Sequence, residues 1–147
     1  MRQQRKGHCM ISGYGASILG LLVLCALPLL LAGVSGPVKG KAGLSGGPVI
    51  GRGEESFAFR LDRAQMNNVE SLTSFAVPAV LAMLVGVGAG FLAWLVWLQV
   101  ALRLAHAGVY LAGGAVARGG NLRTVFFVLG LVVTLVLIVA TALNLPG

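Results

Sequence analysis

Residues 122–143 read LRTVFFVLGLVVTLVLIVATAL, and the fold class turns on them. After Arg123 the stretch holds no charged residue. An α-helix rises about 1.5 Å per residue, so roughly 20 apolar residues cross a hydrocarbon layer of about 30 Å. Inside lipid no water is available to backbone N–H and C=O groups, and a single segment satisfies them by forming a helix. The same reasoning extends outward to residues 11–34, ISGYGASILGLLVLCALPLLLAGV, and to two less uniform runs between these ends.

The whole chain agrees with its C-terminal run. Of 147 residues, 57% are hydrophobic and only 10% charged, with a mean hydropathy of +0.91. A soluble domain has about 45–50% apolar and about 25% charged residues. So little charge cannot solvate the surface of a water-soluble globule. The net charge of +7 would suit nucleic acid if the basic residues gathered on one face or in a known module. They sit between and beside the apolar runs instead. That is the pattern of membrane topology and of contact with anionic headgroups, so no nucleic-acid partner is expected. Cys9 and Cys25 form no CxxC pair, and Cys25, inside an apolar run, is expected to be an inert buried thiol. His8 and His106 are isolated, so no metal site is expected.

These runs predict an all-α integral membrane protein. A single membrane domain over 1–147 would form a four-helix bundle, with helices at about 11–34, 63–86, 91–112 and 122–143 and a polar linker at 35–62. Arg2, Arg5 and Lys6 precede the first run as in a signal peptide, but its apolar stretch exceeds the roughly 7–15 residues of such a segment, so a retained helix is expected. Pro28 and Pro78 each lack a backbone donor and should bend their helices. Asp62 could cap the second helix or favour the positive end of its dipole. Gly86, Gly88 and Gly90 mark a very short turn, Gly113 and Gly114 end the third helix, and Trp94 and Trp97 suit a membrane–water interface. Lys39, Lys41, Arg52, Arg60, Arg63, Arg118 and Arg123 lie on one side, against Arg2, Arg5 and Lys6 on the other. The excess of basic residues places the two connecting loops in the cytoplasm and both termini outside.

Two sets of polar residues interrupt the apolar pattern. Arg63, Asn67 and Glu70 fall at i, i+4 and i+7 of the second helix, on one face. Arg103, His106 and Tyr110 fall at i, i+3 and i+7 of the third. Each set taken alone could glue helices together or reach toward headgroups. Two aligned stripes in so apolar a chain point to a shared polar cavity, in which Glu70 is expected to pair with Arg103 or Arg63. The turn at Gly86–Gly90 reverses the chain, so the end of the third helix returns to the level of Arg63, and Arg123 opens the fourth helix on that side. Such a pocket would be basic at its mouth and apolar at its walls, and suits a small anionic, peptide-like ligand meeting a lipophilic one.

At these residues the chain resembles a known family. RAQMNNVES (63–71), followed by Phe75, is similar to the second-helix signature of the MAPEG family, the membrane-associated proteins in eicosanoid and glutathione metabolism. RLAHAGVY (103–110) resembles its third-helix pattern Arg-x-x-His-x-x-x-Tyr, in the form found in microsomal prostaglandin E synthase and many bacterial members. Arg123–Thr124 resembles the Arg–Ser/Thr pair that opens the fourth helix there. The resemblance implies a homotrimer with glutathione bound between subunits on the cytoplasmic side. It implies that Arg63, Asn67, Glu70, His106 and Tyr110 hold glutathione, with Arg103 as a supporting ion-pair partner. Arg123 would stabilise the glutathione thiolate, with Thr124 as a hydroxyl donor beside it. Ser71 and His106 stand where leukotriene-synthase-type members carry Tyr, which argues against that chemistry. Lys39 or Lys41 would stand in for an arginine many members carry at the end of the first helix, and Arg118 competes with Arg123 for the activating role.

Three functions are then in contention. The first is a membrane-bound glutathione-dependent transferase or peroxidase acting on lipophilic electrophiles or peroxides, with glutathione as thiol co-substrate. The second is a non-catalytic binding or scaffold protein of the same fold. The third is a small proton-coupled transporter working through Glu70. A carboxylate among Arg63, Asn67 and Arg103 is held ionised, which disfavours a carrier's titration.

Overall fold

The computed structural model describes residues 13–44, 46–113 and 121–146. Four helices occupy them: α1 (Gly15–Lys41), α2 (Phe57–Leu84), α3 (Ala89–Leu111) and α4 (Asn121–Leu143). No strand occurs among the described residues. α2 lies against each of the other three helices, and α3 packs against α1, α2 and α4.

Small residues let the helices approach. Ala64, Ala79 and Ala82 of α2 are fully buried. A Cβ on Gly20 of α1 would stand 2.5 Å from Val96 Cγ1 of α3, so the α1–α3 crossing requires glycine there. Around these contacts Phe75, Leu92, Leu95, Val96 and Leu137 form the main core. Leu31, Leu61 and Ala64 form a second cluster with Tyr110, nearer the linker.

The outside is equally apolar. Leu22, Leu29 and Leu30 of α1 and Leu131, Leu135 and Val139 of α4 are all exposed. A face of this size would drive aggregation in water, and it matches hydrocarbon. α1, α3 and residues 122–143 of α4 are each long and apolar enough to cross a membrane. The chain is therefore an integral membrane protein. α2 is not in this set. Its 28 residues have the length, but its charged first half keeps it out of the set that qualifies on apolarity alone. Cys25 departs from expectation, being a free thiol exposed on the surface of α1 rather than a buried one.

The helix ends follow from local chemistry. Gly43, Gly86 and Gly113 each have φ between +67° and +80°, the left-handed conformation that ends a helix at low steric cost only for glycine. The Gly86 turn is closed by Val87 N donating to Ala82 O at 2.9 Å. α1 runs to Lys41 despite Pro37, past the expected end near residue 34. Lys39, in its last turn, is buried against Asp62 of α2 and donates to Gly47 O at 2.9 Å. Asp62 in turn accepts from Val49 N at 3.1 Å. This knot ties the end of α1, the linker and the start of α2 together. It also corrects one expectation: Asp62 does not cap α2, whose N-cap is Ser56.

Candidate functional site

α2 and α3 run antiparallel across the Gly86 turn, so the first half of α2 faces the last turns of α3, and α4 begins at that same end. This placement gathers the polar residues in two adjoining cavities. The mouth, about 350 Å³, is lined by Arg63 and Asn67 of α2, His106 and Tyr110 of α3, and Arg123, Thr124 and Phe127 of α4. Below it lies a recess of about 120 Å³, lined by Asn67, Glu70 and Ser71 of α2, Arg103 of α3, and Phe127 and Thr134 of α4, among others. Asn67 and Phe127 border both. An open apolar groove of about 530 Å³ runs along the outer face of α4 at Thr124, Val125, Val128 and Leu129. Thr124 therefore borders both the polar mouth and an apolar surface.

Each of the eight residues singled out from the sequence lines the mouth or the recess. His106 is 1% exposed, and its ring centroid stands 5.9 Å from Tyr110 and 6.3 Å from Phe127. Its Nδ1 is buried with no partner among the described residues. The guanidinium of Arg123 sits 4.8 Å above the Tyr110 ring, a cation–π arrangement that fixes its height over the mouth. Arg63 is exposed at the rim and lies 5.3 Å over the Phe59 ring.

The expected pairing of Glu70 is absent. Among the described residues no ion pair joins Glu70 to Arg103 or Arg63. Arg103 is drawn toward Gln99 and Gly130 instead, and Glu70 is left exposed.

The linker supplies a residue that the spacing of the motifs did not reveal. Glu54 Oε1 accepts from Arg123 Nη1 at 2.7 Å. Its backbone is held by Arg60, whose Nη1 donates to Glu54 O at 2.7 Å and Glu55 O at 3.0 Å, and whose Nε donates to Leu111 O at 3.4 Å. The linker thus crosses the mouth end of the bundle and delivers a carboxylate to Arg123. Gln99 was likewise missed, although it continues the Arg103–His106–Tyr110 stripe by one turn toward the N-terminus of α3. Arg118, the competitor to Arg123, lies outside the described residues. No cluster of possible metal ligands occurs among the described residues.

Chemically the arrangement offers a mouth rich in donors, with Arg123 and Thr124 where a polar ligand and an apolar one would meet. A volume of about 350 Å³ is within the roughly 300–1,000 Å³ of small-molecule sites. A scan against known families matches the MAPEG family over residues 14–143. No curated protein and no solved structure matches the chain. The family match spans all four helices and carries each of the residues described above, and the chain belongs to the MAPEG family.

Proposed function

We propose that the protein is a membrane-bound glutathione-dependent transferase or peroxidase acting on lipophilic electrophiles or peroxides. The observation that carries this proposal is the mouth itself, where Arg63, Asn67, His106, Tyr110, Arg123 and Thr124 meet beside an apolar groove. MAPEG membership supports glutathione as the thiol co-substrate. A thiol with a pKa near ~8.5 is mostly protonated at neutral pH, and a neighbouring guanidinium favours the thiolate. In this proposal Arg123 stabilises the glutathione thiolate and Thr124 donates a hydrogen bond beside it. Arg63, Asn67, Glu70, His106 and Tyr110 hold the peptide, and Arg103 lies below. The thiolate attacks an acceptor that arrives laterally from the bilayer along the α4 groove. The functional unit is a homotrimer, with the mouth on the cytoplasmic side and both termini outside.

One observation favours a non-catalytic binding protein of the same fold. Glu54 already neutralises Arg123, and a paired guanidinium stabilises a thiolate less. Arg123→Ala separates the two. In a transferase it is expected to lower conjugation of glutathione to a lipophilic aryl halide by about 100-fold or more, while glutathione binding changes by less than about tenfold. Wild-type protein that binds glutathione without turnover would establish the binding function instead.

A further inference from the structure

Lys39 and Lys41 close α1 two residues apart, and they face opposite ways. With 3.6 residues per turn, two residues are separated by about 200° around a helix. Lys39 is buried against Asp62 of α2, and Lys41 is exposed. The side that Lys41 faces is the apolar exterior of α1. Leu30, Val34 and Lys41 fall at i, i+4 and i+11 of one stripe, and Leu30 and Val34 are exposed.

Helix length sets the depth of this residue. α1 has 27 residues, about 40 Å at the helical rise. At its start the Tyr14 hydroxyl donates to Val87 O at 2.6 Å, and Trp97 Nε1 donates to Ala16 O at 3.1 Å. Such aromatic side chains mark a membrane–water interface. The hydrocarbon layer is about 30 Å thick, and about 40–45 Å with its headgroups. Lys41 therefore stands in the opposite headgroup layer.

The linker brings a second cation and an apolar side chain to that place. Arg52 Nη2 donates to Ala42 O at 3.3 Å, which holds the guanidinium at the end of α1, one residue from Lys41. Val49 is buried with its N–H on Asp62, and Ile50 after it is 84% exposed. Among the described residues neither Lys41 nor Arg52 forms an ion pair. The carboxylates of the linker are engaged elsewhere, Glu54 on Arg123 and Glu55 on Gly53 N at 2.9 Å. An exposed isoleucine beside two unpaired cations fits the boundary where lipid phosphates and acyl chains meet.

We propose that the end of α1 and the linker form a docking site for an anionic phospholipid. Its phosphate lies between Lys41 and Arg52, Ile50 enters the glycerol and acyl region, and an acyl chain runs along Val34 and Leu30. A zwitterionic phospholipid carries its own ammonium to offset the phosphate, so two cations favour a lipid of net negative charge. The site is on the outer face of α1 and stands whether or not the protein binds glutathione.

The test is native mass spectrometry of the full-length protein in detergent micelles doped equally with phosphatidylglycerol and phosphatidylcholine. Wild type is expected to retain phosphatidylglycerol in about tenfold excess or more. One cation at a membrane surface is worth about fivefold in lipid binding. Lys41→Gln and Arg52→Gln are each expected to lower the excess by that factor, and the double variant to abolish it, whereas Lys41→Arg preserves it. Ile50→Ser is expected to reduce retention of both lipids alike. Removing two charges elsewhere, by Arg2→Gln with Arg5→Gln, should leave the excess unchanged, and millimolar inorganic phosphate should not displace the lipid. No excess in wild type would overturn the site without any variant having to fold. An excess that survives the double variant, or falls equally in the Arg2 and Arg5 variant, would overturn it too. Displacement by inorganic phosphate would replace the lipid site with one for a soluble anion.

Discussion

Arg123 and Glu54 meet across 69 residues of sequence. Their side chains are 28% and 37% exposed, and a pair so open to its surroundings contributes about 0–1 kcal/mol to stability. Its importance is the charge it places beside a bound thiol. Removing the carboxylate leaves the guanidinium uncompensated, which favours the thiolate and lowers the thiol pKa. Glu54→Gln is therefore expected to shift the melting midpoint by no more than the equivalent of about 1 kcal/mol. The thiolate absorbance of bound glutathione should then appear at lower pH than in wild type. An unchanged titration would remove Glu54 from the thiol's environment. The motif residues were legible from the sequence because their partners lie at helical spacing on their own element, as with Arg103, His106 and Tyr110. Glu54 was not, since no local pattern connects a linker carboxylate to the first turn of α4. Gly130 was not either, because its role is the space it leaves for a side chain of another helix.

The Lys39–Asp62 pair explains where elements begin and end. Both side chains are at most 10% exposed, and breaking a buried pair by removing one partner costs about 3–5 kcal/mol. Asp62→Asn is expected to lower stability in detergent by that order, and Lys39→Met likewise. A variant with both sites replaced by apolar residues of similar size should recover most of the loss, measured by thermal or denaturant unfolding. Additive losses would show that the two residues act separately. The sequence located the apolar middles of the helices well, since hydrophobic run length reports directly on lipid. It placed the first end too early and the second start too late. Gly36 and Pro37 argue locally against helix, and Arg60 and Asp62 argue locally for a polar linker. The tertiary contacts of Lys39, Asp62 and Arg60 override both.

The whole molecule is an apolar exterior around a polar end. α2 carries most of that polarity on residues that line the mouth and the recess, and α1, α3 and α4 present their exposed leucines and valines outward. Integral membrane character was therefore legible from composition, and the inward polar face of α2 from the spacing of Arg63, Asn67 and Glu70, whereas the engagement of Arg103 by Gln99 and Gly130 instead of Glu70 needed the packing. The proposed topology puts the end with the basic loops in the cytoplasm. On that topology a reporter that is active only after export, fused after residue 147, should be active, and one inserted between Gly113 and Asn121 should be silent. The reverse pattern would invert the topology and put the mouth outside. Such an inversion would separate the site from a cytoplasmic thiol pool.

The central claim is that the cavity between α2, α3 and α4 is a glutathione site, and titration of detergent-purified protein with glutathione by calorimetry tests it most directly. Saturable binding below millimolar concentration is expected. It should weaken by about tenfold or more in Arg63→Ala and in Glu70→Ala, each of which removes one charged contact. No binding at millimolar glutathione, or equal affinity in wild type and both variants, would contradict the claim.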